Sequence, residues 1–150
     1  MNLRLAREAD FEAIMEIYEA NVLALREMGI DQWQGEDRPT IEEIRSYICD
    51  SLYVLEDRQG GGLGVVKVTL TPYPDYVKEP KIWSFPGPYA SIGRLGILPD
   101  AKRQGLGLHM IESAEDMMLD LGAKAIRVDT HPGNHKMLAL LRKAGYKEAG

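Results

Sequence analysis

Leu98-Pro99-Asp100-Ala101-Lys102-Arg103-Gln104-Gly105-Leu106-Gly107-Leu108 joins a strand-like run to a long helical pattern. Its glycines let backbone approach a ligand closely, and unpaired amides at a helix start, aided by the helix dipole, suit a pyrophosphate. Lys102 and Arg103 add positive charge in a chain of net charge -5. A Gly-x-Gly at this place fits an ordinary flexible helix entry equally well. Two familiar phosphate loops are excluded on residues: Gly107 is not followed by Lys-Ser or Lys-Thr, and Met110 stands at the third glycine of a dinucleotide fingerprint.

Upstream of this loop, residues 89–98 have strand character. Downstream, 104–121 predicts a helix with Met110, Ile111, Ala114, Met117, Met118 and Leu121 on one face, ended by Gly122. Residues 125–129 then read as a strand, and Asn134 caps a last helix carrying Met137, Leu138 and Leu141 and ending at Gly145. This β-α-β-α order implies an α/β sheet covered by helices.

The N-terminal half supplies a short strand at 3–5 and a helix capped by Asp10, with Phe11, Ile14, Met15, Tyr18, Val22 and Leu25 at helical spacing until Gly29. Thr40 followed by Glu43 has the form of a capping box, opening a second helix with an Ile41, Ile44 and Ile48 stripe. Residues 52–55 and 65–70 form a hairpin around Gln59-Gly60-Gly61-Gly62. Residues 71–88 hold five of the eight prolines and four aromatic side chains, which predicts an irregular excursion.

A length of 150 residues with 45% hydrophobic and 27% charged side chains, without repeats or a biased linker, predicts one domain over 1–150. The acidic balance argues against a nucleic-acid partner. Cys49 is the sole cysteine, so it can form no internal disulfide and no cysteine pair for a metal; a buried structural thiol is expected, and no metal. The charged N-terminus has no apolar run for a leader or a membrane span, so a cytoplasmic protein without a membrane partner is expected.

The loop resembles the acetyl-CoA motif of the GNAT superfamily of N-acetyltransferases, written Q/R-x-x-G-x-G/A after a strand and a Pro. Gly105 and Gly107 match it, and Lys102 stands where Gln or Arg is usual. Asp129-Thr130-His131-Pro132-Gly133-Asn134, with Leu140, Lys143, Gly145 and Tyr146, is similar to the second motif of that superfamily. Residues 30–34 and 89–94 resemble an uncharacterised bacterial subgroup. The resemblance implies the acyl-CoA N-acyltransferase fold, α/β with a mixed, mostly antiparallel central sheet. It further implies acetyl-CoA as cosubstrate and direct transfer, through a ternary complex, to a small-molecule or peptide amine. By it, the backbone of Leu95, Gly96 and Ile97 pairs with the pantetheine arm, Lys102, Arg103, Gln104, Gly105, Leu106, Gly107 and Leu108 surround the pyrophosphate, and Asn134 contacts the cofactor near the thioester. Gly96 removes a side chain where a ligand must lie close.

Attack of an amine on a thioester requires a neutral amine, oriented and with donors for the developing oxyanion. A lysine-like amine of pKa ~10.4 costs about 4.6 kcal/mol to present neutral at pH 7, an α-amine of ~7.7 about 1. Asp129 is at a position where some relatives place a general base; it equally suits a cap on the turn into Pro132-Gly133. His131 is the alternative base. The superfamily often protonates the leaving thiolate with a Tyr seven residues after the Asn, where this chain has Leu141, and that departure favours a rival reading as a non-catalytic acyl-CoA sensor. Trp33, between the first two helices where the resemblance implies an acceptor cleft, is a candidate substrate contact as well as a core or lid Trp. Only four residues follow Tyr146, so the superfamily's final strand is expected to be short or missing, leaving an edge open to a homodimer.

Overall fold

The computed structural model describes residues 2–71, 89–99, 105–130 and 133–147. Five strands, β1 (Asn2–Leu5), β2 (Leu52–Glu56), β3 (Gly62–Thr71), β4 (Tyr89–Ile97) and β5 (Ala125–Val128), form one sheet in that spatial order. The first three junctions are antiparallel and the last, β4 with β5, is parallel. The hairpin and the β-α-β-α order anticipated above are both present. Among the described residues no strand follows the last helix, and no helix is long and apolar enough to cross a membrane.

Alternation along the strands divides the interior in two. Leu52 and Val54 of β2 and Val65 of β3 pack with α1 (Phe11–Glu27) and α2 (Ile41–Tyr47). Leu55, Val66, Val68, Ala90 and Ile92 pack with α3 (Leu106–Asp120) and α4 (His135–Lys143) on the other face. In β4 the alternation changes parity. Lys67 of β3 faces Gly93 and Val65 faces Gly96, so Val66 alone spans Arg94 and Leu95. The extra residue is a β-bulge, with Arg94 at φ 49°. It moves the α3-facing set from Ala90 and Ile92 to Leu95 and Ile97, so both ends of the strand keep apolar residues on the same core.

Gly29, Gly122 and Gly145, at φ 73°, 105° and 93°, close α1, α3 and α4 in the same way. In each, the residue after the glycine donates its N–H back five positions: Ile30 to Leu25, Ala123 to Met118 and Tyr146 to Leu141. Both members of each pair belong to one hydrophobic cluster, as in the Schellman arrangement that satisfies the last carbonyls of a helix.

Four expectations need correction. Asp10 accepts no hydrogen bond as cap of α1. Its carboxylate is taken by the Arg4 guanidinium, at 2.8 Å to each oxygen, and by the Arg7 N–H at 2.7 Å. Ile41 is exposed, because only Ile44 and Ile48 of its stripe turn inward under β2. Leu121 is exposed because α3 ends there, and the turn through Gly122 puts Ala123 into the core instead. Cys49 is exposed, not buried. It sits at φ 64° in the left-handed turn leaving α2, with its N–H on the Ala6 carbonyl, and Ile48 fills the interior.

Arg4 also donates to Glu56 at 2.8 Å, tying β1 to β2 and to the start of α1. The hydrogen bond from Arg4, above all, lowers the Asp10 carboxyl to about 2. A depressed carboxylate contributes stability that is complete above its unfolded pKa, near 3.8, and is lost as pH falls through about 2. Wild type is therefore expected to lose ~1 kcal/mol between these values through this group, after allowance for solvent screening. Denaturant unfolding of wild type and Asp10→Asn at pH 5 and pH 2.5 checks this: the gap between the two proteins should shrink in acid, and a constant gap contradicts it.

Candidate active site at the parting of two strands

The parallel ladder runs from Tyr89 opposite Ala125 to Ile92 opposite Val128 and stops. β4 continues through residues 93–97, roughly 17 Å of strand at ~3.3 Å per residue, beyond the end of its β5 ladder. The ladder ends where β5 itself ends, and the bulge lies at the start of the remaining stretch of β4, where it bends the strand and increases its local twist. Leu95 is half-buried and Ile97 buried against the α3–α4 core, so their side chains are structural while this edge of their backbone lies outside the ladder. Gly96 has a different reason from the one expected. A Cβ there would meet Ile17 Cγ2 at 3.2 Å and the Tyr18 ring at 3.5 Å, so the missing side chain admits α1, on the sheet face.

Beyond Ile97 the chain reaches α3. Lys102, Arg103 and Gln104 lie outside the described residues, as does His131. Gly105 is the N-cap of α3 at φ 70°, supplies no side-chain cap, and no acidic residue occupies the first turn. The first intrahelical bond runs from the His109 N–H to the Gly105 carbonyl, so the amides of Leu106, Gly107 and Leu108 precede the ladder and belong to the positive end of the helix dipole. The two glycines of the motif divide their tasks. A Cβ on Gly105 would meet nothing within 4 Å, whereas one on Gly107 would lie 2.8 Å from Leu140 Cδ2 and 3.3 Å from Ile97 Cδ1. Gly105 leaves open space before the helix; Gly107 is buried and lets α4 and β4 close on α3.

Asp129 is exposed and directly follows Val128, the last β5 residue paired to β4, so it stands where the strands part. Asn134 caps α4, accepting from the Met137 N–H at 3.2 Å, and its amide donates to Gln32 Oε1 at 2.9 Å. That bond brings the loop between α1 and α2 to the start of α4. Beside it lies an open cavity of about 430 Å³ lined by residues 28–31 and 133–136. Trp33 is buried in the α1–α2 core, its ring edge-on to Tyr18 at 5.6 Å, and is not among the residues lining this cavity.

Leu141, at the position where the resemblance implies a proton donor, is buried in the α3–α4 core. The Tyr146 hydroxyl is also buried. Burial, with the Glu115 carboxylate beside it, pushes the phenol well above its ordinary range. Glu115 is nine residues past Leu106, ~14 Å along the helix at 1.5 Å per residue, which takes Tyr146 away from the start of α3. His135 is exposed on the cavity rim.

No curated protein sequence matches this chain significantly. Among solved structures, a GNAT-family acetyltransferase from Streptococcus agalactiae is similar over 99% of this chain and 86% of its own, with 25% identity and a TM-score of 0.81. Another from Listeria monocytogenes gives 18% identity and a TM-score of 0.78, covering 99% of this chain and 87% of that one. AAC(6')-Iy, solved with the bisubstrate analogue CoA-S-monomethyl-acetylneamine, shares the fold at 14% identity and a TM-score of 0.69, over 99% and 92% of the two chains. The model of the acetyltransferase (GNAT) family matches residues 67–146, more than half the chain, from β3 through the parted strands and α3 to the end of α4. The chain belongs to the GNAT family of acetyltransferases.

Proposed function

We propose that residues 1–150 act as one cytoplasmic domain that moves the acetyl group of acetyl-CoA directly to an amine within a ternary complex. The observation that carries this reading is a conjunction: β4 has an edge beyond the β5 ladder, and the next helix in the chain opens on Gly105, where a Cβ would meet nothing within 4 Å, with first amides that precede its ladder. A pantetheine arm carries amides that add to a strand edge as another strand would, and a pyrophosphate suits a helix N-terminus. In this reading the backbone of Leu95, Gly96 and Ile97 holds the arm, and Lys102, Arg103, Gln104, Gly105, Leu106, Gly107 and Leu108 hold the phosphates. Asn134 has one amide hydrogen beyond its bond to Gln32 to offer near the thioester. AAC(6')-Iy supports the cofactor class, since the analogue bound there joins CoA to an acceptor.

Bound acetyl-CoA supplies an activated acyl group. The chain orients the acceptor against it and takes up the ammonium proton, for which Asp129 is our candidate and His131 the alternative. Trp33 supports the acceptor wall from the α1–α2 core. A thiol of pKa ~8.5 leaves as thiolate with little assistance, so Leu141 is compatible with turnover. The buried Leu141 also supports the second reading, a non-catalytic acyl-CoA sensor.

Acetyl-CoA and CoA at ~100 times Kd are expected to stabilise the fold by about 2.7 kcal/mol, a rise of roughly 5–10 °C in Tm for a domain of this size. Absence of any shift at millimolar ligand contradicts the cofactor assignment. Thiol release on adding polyamines, aminoglycosides, amino acids or peptides separates enzyme from sensor: a sensor shows the shift and no release.

A further inference from the structure

The bulge residue Arg94 is exceptionally engaged. Its guanidinium donates to the Asp37 carbonyl at 2.6 Å and to Glu43 Oε1 at 2.8 Å, and lies 5.6 Å from the centre of the Trp33 ring. Its own carbonyl accepts from the buried Tyr18 hydroxyl at 2.6 Å. Tyr18 meets Trp33 edge-on, and the Trp33 N–H donates to the Asp37 carboxylate at 2.9 Å. These contacts close a ring, from Arg94 to Asp37, to Trp33, to Tyr18 and back to Arg94. The ring joins the loop between α1 and α2 to the one point of β4 where the backbone leaves its ordinary path.

We propose that Arg94 is a positioning residue that fixes the 31–39 loop against β4 and thereby sets affinity for the amine acceptor, while leaving cofactor affinity unchanged. Three features argue for it. A left-handed backbone is unfavourable for a residue with a long side chain, so its presence at φ 49° needs compensating contacts; its carbonyl is held by Tyr18 of α1, and the hydrogen bonds of its guanidinium go to the loop and α2. Second, the planar guanidinium serves a carbonyl, a carboxylate and an aromatic face together, which an ammonium on a flexible stem cannot do equally. Third, the same loop carries Gln32, whose side chain accepts from Asn134 at the mouth of the site. Loosening the Arg94 end releases the wall opposite α4 and leaves the start of α3 untouched.

This inference rests on the acetyltransferase reading for its kinetic arm and not for its structural arm. Arg94→Asn suits the test because Asn tolerates a left-handed backbone while losing the reach to Asp37 and Glu43. Trp33 and Trp83 are the only tryptophans, so Trp83→Phe leaves Trp33 as the sole reporter. In that background Arg94→Asn should raise acrylamide quenching of Trp33 at least ~2-fold, with Arg94→Lys between the two because it can keep Glu43 alone. With an accepted amine, Arg94→Asn should raise the acceptor KM by ~10-fold or more, leave the acetyl-CoA Kd within about 2-fold, and show partial recovery with Lys. Unchanged quenching overturns the proposal, as does a loss of acetyl-CoA affinity equal to that of the acceptor. A wild-type protein with no turnover and no acetyl-CoA shift overturns the acetyltransferase reading instead, and quenching still decides whether Arg94 holds the loop.

Discussion

Gly105→Asp is expected to abolish stabilisation by acetyl-CoA and CoA while the protein itself stays folded. Most glycine substitutions confuse these two effects, but here the geometry separates them. A Cβ at this position enters space with no atom within 4 Å, and Asp is among the residues that tolerate the left-handed region. An aspartate at the N-cap also satisfies helix amides and the dipole, so the fold should lose at most ~1 kcal/mol. The same carboxylate competes for the amides proposed to bind the pyrophosphate. At ~5 Å and an effective dielectric near 20, one pair of like charges repels by roughly 3 kcal/mol, about two decades in Kd, before steric exclusion is added. Gly105→Asn separates charge from bulk, and its Kd should fall between wild type and Asp. Calorimetry of all three against CoA measures the effect. Near-wild-type affinity in a folded Gly105→Asp protein would place the nucleotide away from α3.

Asp129→Asn should lower turnover by ~10²–10⁴ with CoA affinity nearly unchanged if its carboxylate accepts the acceptor proton, directly or through water. The amide keeps the size and hydrogen-bonding reach of the carboxylate and loses its basic site. Position supports the assignment, since the residue follows the last paired residue of β5, where β4 and β5 separate. If Asp129 only organises the turn towards Asn134, the substitution costs ~1 kcal/mol of stability and weakens binding and turnover modestly together. Turnover near wild type at saturating amine removes Asp129 from proton transfer and transfers that role to His131 or water. The acceptor should be one whose amine is charged at neutral pH, because only then is the base limiting.

Much of this architecture can be read from residues alone, and the parts that cannot share a physical cause. Helix positions followed from 3.6-residue spacing closed by Gly29, Gly122 and Gly145, because period and chain reversal are local properties. The bulge was not readable, since a one-residue change of parity at Arg94 is hidden among Gly93, Leu95 and Gly96. From sequence alone, Gly96 and Gly107 suggest room for a ligand. A sequence records that a side chain is missing without recording what occupies its place, which is α1 at Gly96 and Leu140 of α4 at Gly107. The pairing of Gln32 with Asn134, and of Arg94 with Asp37 and Glu43, joins positions far apart in the chain, and no spacing rule reaches that distance. Asp10 departs from expectation for the opposite reason: its capping pattern is local and correct in form, but Arg4 takes the carboxylate.

The sheet separates two cores, one against α1 and α2 and the other against α3 and α4. Substitutions more than ~7–10 Å apart with no shared neighbour act additively on stability. Core replacements in the α1–α2 half and in the α3–α4 half should thus accumulate independently, so that one core can be rebuilt without re-solving the packing of the other. Among the described residues, only Leu98 packs against both cores. It is also the first residue of the loop leading to α3. Apolar epistasis between the halves is therefore concentrated at Leu98, with the Asn134–Gln32 hydrogen bond as a polar link beside it, and an engineer repacking either core should hold that leucine fixed.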